Sequence, residues 1–231
     1  AAKVISTVLA LVSIGLITRY LGKEGFGDYA IVLAFLSLFS AVADLGLCHI
    51  STREISRPGA DEKKILGNIF SLRLVSSMGV VALSWVTTLF LPYPEHVRRG
   101  IVIIAFSFFF ASNYQILNGV FQKKLSMDKV AMGELLGKVG QLLVILGAVK
   151  LQLGFGWIVT SILINMIISF IIVFIWSRKY IAINLRFDFA YWKTFLKEAL
   201  PMGAASIITF LYFKLDTILL SVMKSNAEVG I

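Results

Sequence analysis

Charged and amide side chains within long apolar stretches are the residues of this sequence best suited to chemistry. Arg73 and Lys138 each lie about eight residues inside an apolar stretch long enough to cross a bilayer, a depth of about 12 Å at 1.5 Å per residue. A charge at that depth is costly and usually faces a bundle interior or a watery cavity. Both side chains are therefore candidates for binding an anion, arginine bidentately and lysine as a point charge.

Other polar residues accompany these two cations at helical spacing. Glu134, Lys138 and Gln141 share one face at positions i, i+4 and i+7, and Gln115 and Asn118 share a face on the preceding stretch. The residues expected to line a substrate cavity are Arg73, Lys138, Lys214, Glu134, Asp44, Gln115, Asn118 and Gln141.

Each intramembrane charge also has a purely structural interpretation. Glu134 and Lys138 could neutralise one another as an i, i+4 pair, and Arg73 could pair with Asp44 or Glu134. These alternatives stay open at the level of sequence.

Asparagines and the last pair of charges need separate treatment. Asn68, Asn113 and Asn165 are expected to join helices through amide hydrogen bonds. Lys214 and Asp216 are two residues apart and cannot share a helix face, so Lys214 is the better candidate for an anion.

Composition sets the class of protein. Of 231 residues, 58% are hydrophobic and only 15% are charged, which is too apolar for a soluble domain of this size. The sequence contains neither a catalytic constellation nor a phosphate-binding glycine loop. The lone Cys48 excludes a disulfide and a cysteine metal site. We expect an integral membrane protein that is not an enzyme and needs no metal or other cofactor.

Seven apolar segments are expected to span the membrane, which predicts an all-α polytopic fold. The first two are joined by a tight turn containing Gly22, Gly25 and Gly27, and a fainter copy of this turn follows the seventh. Six spans between two copies suggest a duplicated six-helix unit. The predicted segments are 4–21, 29–50, 65–91, 101–121, 130–150, 157–176 and 200–223.

Domain organisation and orientation follow from the connections. Lys and Arg concentrate at the N-terminus and in the second, fourth and sixth loops, which places the N-terminus in the cytoplasm. The +9 net charge therefore reports topology rather than binding to nucleic acid. Segment 187–200 has the pattern of an interfacial helix. We expect a six-helix bundle over 1–186, and over 187–231 a linker helix and the first span of a second bundle.

Several short motifs are spread along the chain: RYLG at 19–22, GFGDYA at 25–30, ADLGL at 43–47, TREI at 52–55, LRL at 72–74, FQ at 121–122, LP at 200–201 and YFKLDTILLS at 212–221. Together they resemble one known family, the polysaccharide-biosynthesis membrane proteins of the O-antigen flippase type.

The resemblance implies a fold similar to the multidrug, oligosaccharidyl-lipid and polysaccharide exporter superfamily, with two six-helix bundles around a central cavity. This sequence would then be a fragment of a transporter with about 12–14 helices. The implied function is translocation of a polyprenyl-diphosphate-linked oligosaccharide across the cytoplasmic (inner) membrane by a monomer, with H⁺ or Na⁺ as a coupling ion.

Two other functions are weighed against this one. A cation-coupled drug exporter of the same superfamily would rely on buried acids, whereas here three deep bases accompany three acids. A membrane-embedded glycosyltransferase or polymerase of the same pathway would need larger acidic loops than this sequence has.

Overall fold

The computed structural model describes residues 2–44, 47–90, 93–181 and 184–223. Over these residues the secondary structure is α-helical, without strands, so the predicted all-α fold is confirmed. The helices are α1 (Ala2–Asp44), α2 (Leu47–Ser56), α3 (Glu62–Phe90), α4 (Glu95–Lys123), α5 (Met127–Lys150), α6 (Phe155–Ser177) and α7 (Phe189–Met223).

Helix α1 contains the predicted span 4–21 and the predicted span 29–50 as far as Asp44, and it reverses direction between them. Gly22 is its single non-helical residue, with φ 66° and ψ −171°, a left-handed conformation that favours glycine. Before Gly22, Lys3 bonds to Glu134 in α5, and Tyr20 accepts a hydrogen bond from the backbone N–H of Gly154 at the other end of α5. The first arm of α1 is therefore parallel to α5.

The second arm of α1 and helix α2 follow α4 instead. Asp28 contacts His96 near the start of α4, and Thr52 of α2 packs against Gly119 near its end. Since α4 and α5 are antiparallel, the two arms of α1 are antiparallel too. The glycine-rich turn predicted between the first two spans is a helical hairpin.

Helices α5 and α6 approach each other closely because α5 presents glycines. A Cβ added at Gly133 would lie 2.8 Å from a methyl group of Val173, and one at Gly137 would lie 2.1 Å from Oγ of Ser169. Small residues at such a contact let two helix backbones come close enough for polar side chains to bond across it.

Two apolar clusters support the bundle at its opposite ends. One contains Ile17, Val32, Ile101, Ile145 and Ile158, and it joins α1, α4, α5 and α6 at the end where α1 reverses. The other joins α2, α3, the end of α4 and the start of α7. The cavity described below borders the first of these clusters, since Ile17, Tyr29 and Ile162 belong to both.

The connection to α7 is attached to α3 by polar contacts. Asp188 donates its backbone N–H to Oδ1 of Asn68 at 3.0 Å, and Trp192 donates its indole N–H to the carbonyl of Asn68 at 3.1 Å. Trp192 and Phe195 are buried against the bundle, whereas Phe189 is exposed. The segment expected to lie on the membrane surface thus continues into α7 and packs partly on α3. Asn68 joins helical segments, as predicted.

Five helices in the described part of the chain are long and apolar enough to cross a membrane. The first of them joins the predicted span 4–21 to the beginning of the predicted span 29–50, which accounts for one of the two spans by which five falls short of seven. The seventh predicted span lies in α7, and the repeated turn after it lies outside the described residues. The candidate spans are Ala2–Ser37, Glu62–Phe90, Glu95–Lys123, Met127–Lys150 and Phe155–Ser177.

Candidate functional site

A cavity of about 310 Å³ lies between the two arms of α1 and helices α5 and α6. Most of its wall is apolar, which is expected for the interior of a membrane bundle. Its polar lining consists of Ser13 and Tyr29 from α1, Lys138 and Gln141 from α5, and Asn165 from α6. Lys138 lies eleven residues after Met127, or about 16 Å along the helix, which is close to the middle of a ~30 Å hydrocarbon core.

These side chains form a connected network. Nζ of Lys138 donates to Oε1 of Gln141 at 3.4 Å, and Nδ2 of Asn165 donates to the same oxygen at 3.1 Å. Oγ of Ser169 donates to Oδ1 of Asn165 at 3.4 Å and to the backbone carbonyl of Gly133 at 3.3 Å. The close α5–α6 contact is what brings Gln141 and Asn165 within bonding distance.

The network leaves the cavity rich in donors. Oε1 of Gln141 is occupied twice, while its amide nitrogen has no acceptor among the described residues. The hydroxyl of Ser13 is buried and has no hydrogen-bond partner in the described part of the chain. An ammonium, an amide N–H₂ and a hydroxyl around one space suit an oxygen-rich or anionic ligand.

Glu134 is paired differently from either arrangement considered for it. Both of its carboxylate oxygens accept from Nζ of Lys3, at 3.1 and 3.2 Å, at the start of α1. Of the pairings left open for Glu134, neither the one with Lys138 nor the one with Arg73 is found among the described residues. Helical spacing places Glu134 near Lys138, but the tertiary fold supplies a closer cation. Within the described residues, no carboxylate lies within ion-pair distance of Lys138.

Arg73 lies outside this cavity. It is completely buried in α3, and its guanidinium donates to Oγ of Ser112 in α4 at 3.1 Å. Its position eleven residues after Glu62 is again about 16 Å along the helix. The two deep cations are thus at a similar depth but occupy different places in the bundle.

The remaining candidates are dispersed. Gln115 is exposed on α4, and Asn118 is half-buried one turn later. The side chains of Asp44 and Lys214 lie outside the described residues, as does that of Asp216. Of the eight residues proposed from sequence, the structure brings Lys138 and Gln141 together at the cavity.

Sequence reasoning missed Ser13 and Tyr29 and treated Asn165 only as a residue that joins helices. A usable signal was present in the first span. Ser6, Ser13 and Tyr20 recur every seven residues and so share one face of an otherwise apolar helix. Ser6 and Ser13 are both buried, which identifies that face as the one turned into the bundle.

The helical bundle and its polar interior define a polytopic α-helical membrane protein. The model of the polysaccharide biosynthesis protein family matches residues 1–231, so the chain belongs to that family. Neither the curated proteins nor the solved structures include a match to this chain.

Proposed function

We propose that this protein is part of a flippase that moves a polyprenyl-diphosphate-linked saccharide across the cytoplasmic membrane. The observation that carries the proposal is the donor-rich cavity around Lys138 within a bundle of this family. Diphosphate and sugar hydroxyls both present acceptor oxygens, and an ammonium at mid-depth would offset part of the cost of bringing an anion there.

The charge of the cavity supports an anionic rather than a cationic ligand. Its described lining contains Lys138 but no carboxylate, and the nearby Glu134 is paired with Lys3. A cation-coupled drug exporter would need an acid at this place. We further propose that the substrate is transported without chemical change, because the described residues here are hydrogen-bond donors for binding rather than a nucleophile with its base.

A complementation experiment tests the proposal. The full-length gene with Lys138→Gln should restore less than about a tenth of the surface polysaccharide of a flippase-deficient strain, since a tenfold loss corresponds to about 1.4 kcal/mol of lost binding. Lys150→Gln, on the exposed end of the same helix, is the matched control and should restore it fully. Equal restoration by both variants at equal protein levels would exclude Lys138 from the transport path.

Membrane orientation is tested separately. We propose a cytoplasmic N-terminus, with the loop after α2 and the turn after α4 on the same side. In a Cys48→Ser background, single cysteines at Lys63 and Lys124 should resist an impermeant thiol reagent in intact cells, while one at Arg98 should react. Labelling at Lys63 would reverse this orientation.

A further inference from the structure

A groove between α3 and α4 lies on the exposed outside of the described bundle, away from the Lys138 cavity. It consists of two hollows, of about 610 Å³ near the α3–α4 loop and about 490 Å³ closer to the middle of the bundle. On α3 each lining residue is three or four positions from another lining residue, which places them all on one face of the helix. They are Met78, Val81, Ala82, Trp85, Thr88 and Leu89.

Helix α4 supplies the opposite wall with the same spacing. Its lining residues include Arg98, Arg99, Val102, Phe106 and Phe110. The two hollows share no lining residue, but they follow one another along the same faces of α3 and α4, and we therefore treat them as one groove.

The length of this groove matches one leaflet. From Met78 to Leu89 the helix rises about 16 Å at 1.5 Å per residue, and half of a bilayer's hydrocarbon core is about 15 Å. Met78, Trp85 and Leu89 are each more than 60% exposed, at 64%, 61% and 65%, so the groove opens to the surroundings of the bundle. Hydrocarbon must fill such a hollow in a membrane, since water there would leave its hydrogen bonds unmade.

Polarity is confined to one end of the groove. The hollow near the middle is lined by apolar residues, whereas the other hollow includes Glu95, Arg98 and Arg99. Arg99 is paired with Glu95 one turn earlier. Arg98 uses Nε to donate to the carbonyl of Tyr93 at 3.0 Å, and its two terminal nitrogens have no partner among the described residues. That end therefore presents guanidinium donors beside the α3–α4 loop, where the apolar lining ends.

We propose that the α3–α4 groove binds an anionic phospholipid of the leaflet facing the α3–α4 loop, which the proposed orientation makes the outer leaflet. One acyl chain lies along the apolar stripe, and the terminal nitrogens of Arg98 bind the phosphate. Two observations support this proposal: the charge of Arg98, and an apolar groove about as long as one leaflet of a bilayer is thick. It goes beyond the proposed flippase function, and its test does not use transport.

Native mass spectrometry of the full-length protein released from nanodiscs tests the headgroup contact. With equal amounts of palmitoyl-oleoyl phosphatidylglycerol and phosphatidylethanolamine, the wild-type protein should retain phosphatidylglycerol preferentially. Arg98→Gln should lower that retention roughly fivefold, the effect of losing one basic residue at a lipid surface. The control is Arg19→Gln, an exposed arginine outside the groove at the same end of the bundle, which should retain it normally.

A second pair of variants tests the apolar floor independently. Ala82→Trp fills the groove, whereas Leu83→Trp adds the same ring to an exposed neighbour outside the lining. Retention of phosphatidylglycerol should fall in Ala82→Trp alone, with both variants folded as judged by unchanged melting temperature.

Three results would overturn the proposal. They are unchanged retention in Arg98→Gln, equal retention in the two tryptophan variants, and preferential retention of a polyprenyl phosphate over phosphatidylglycerol. A cysteine at Ala82 that crosslinks to another segment of the full-length chain would also overturn it, because protein would then cover the groove.

Discussion

The regions around Arg73 and Lys138 hold the two deep cations of the bundle and differ in how they accommodate them. Arg73 is completely buried between α3 and α4 and donates to Ser112. Lys138 is half-buried, borders a cavity and contacts Gln141. Depth in the membrane is similar for both, so depth alone does not distinguish a packed cation from one that is available to a ligand.

The difference arises from what surrounds each cation. Two small serines of α3 lie near Arg73 in the chain. The hydroxyls of Ser71 and Ser77 each donate a hydrogen bond to a carbonyl of their own helix, so neither hydroxyl needs a partner from another helix as an acceptor. Around Lys138, the glycines of α5 draw α6 close, while the kinked α1 leaves a space beside the network. Arg73 is thus enclosed by its neighbours, whereas Lys138 borders an open space, and this difference is why we propose Lys138 rather than Arg73 as the substrate contact.

The largest expected difference is between the stabilities of the alanine variants at the two positions. Arg73→Ala should destabilise the protein by roughly 2–5 kcal/mol, the cost of truncating a large buried side chain. Lys138→Ala should change stability by less than about 1 kcal/mol, because a cation with no carboxylate partner among the described residues is itself costly inside a span. Melting temperatures of the full-length protein in one detergent measure both. A similar loss in Lys138→Ala would mean that Lys138 too is structural.

The α5–α6 contact that assembles the cavity network provides the next test. Gly137→Ala should cost roughly 1–3 kcal/mol, since the new Cβ would lie 2.1 Å from Oγ of Ser169 and 2.8 Å from the carbonyl of Asn165. Gly147→Ala, on the same helix with nothing within 4 Å of the new Cβ, is the matched control and should be neutral or slightly stabilising. If both variants melt alike, close packing does not hold the network together.

Exchanging arginine and lysine at the two positions should change stability less than the alanine substitutions do, and it tests whether each position needs its own type of cation. Arg73→Lys should lower stability by about 1 kcal/mol through the altered bond to Ser112 while preserving transport per folded molecule. Lys138→Arg should leave stability unchanged and alter transport, because a guanidinium changes the shape of the cavity lining. Loss of transport in a well-folded Arg73→Lys protein would instead place Arg73 in the substrate path, as its depth first suggested.

A cation outside the bundle interior should matter least. Arg53 of α2 pairs with Glu198 of α7 at 2.6 Å and with Glu54 at 3.0 Å, and the side chains of Arg53 and Glu198 are both about half exposed. Arg53→Gln should lower the melting temperature only slightly and lose that effect at high salt, because solvent and ions screen an exposed pair. Lys63→Gln, at an exposed lysine of α3, is the control and should have no measurable effect. A loss as large as that of Arg73→Ala would show that the α2–α7 contact, rather than the interior, dominates stability.

Much of the fold and part of the site could be read from sequence. The apolar segments, the reversal at Gly22 and the shared face of Lys138 and Gln141 depend on composition and on contacts between near neighbours in the chain. The pairing of Glu134 was missed because Lys3 is distant in sequence and helical spacing favoured Lys138. Asn165 was recognised as polar, but nothing in the sequence indicated which helix it would meet.

The sequence by itself determined that this protein is an all-helical membrane protein of the polysaccharide biosynthesis family with charges at mid-depth. Hydrophobicity and the helical period are local properties, so they fix which residues share a face. The tertiary structure alone decided which faces meet. It placed Arg73 in closed packing with Ser112, and it opened the cavity that Lys138 shares with Ser13. Such choices depend on side-chain volumes at contacts between distant helices, which no single segment specifies.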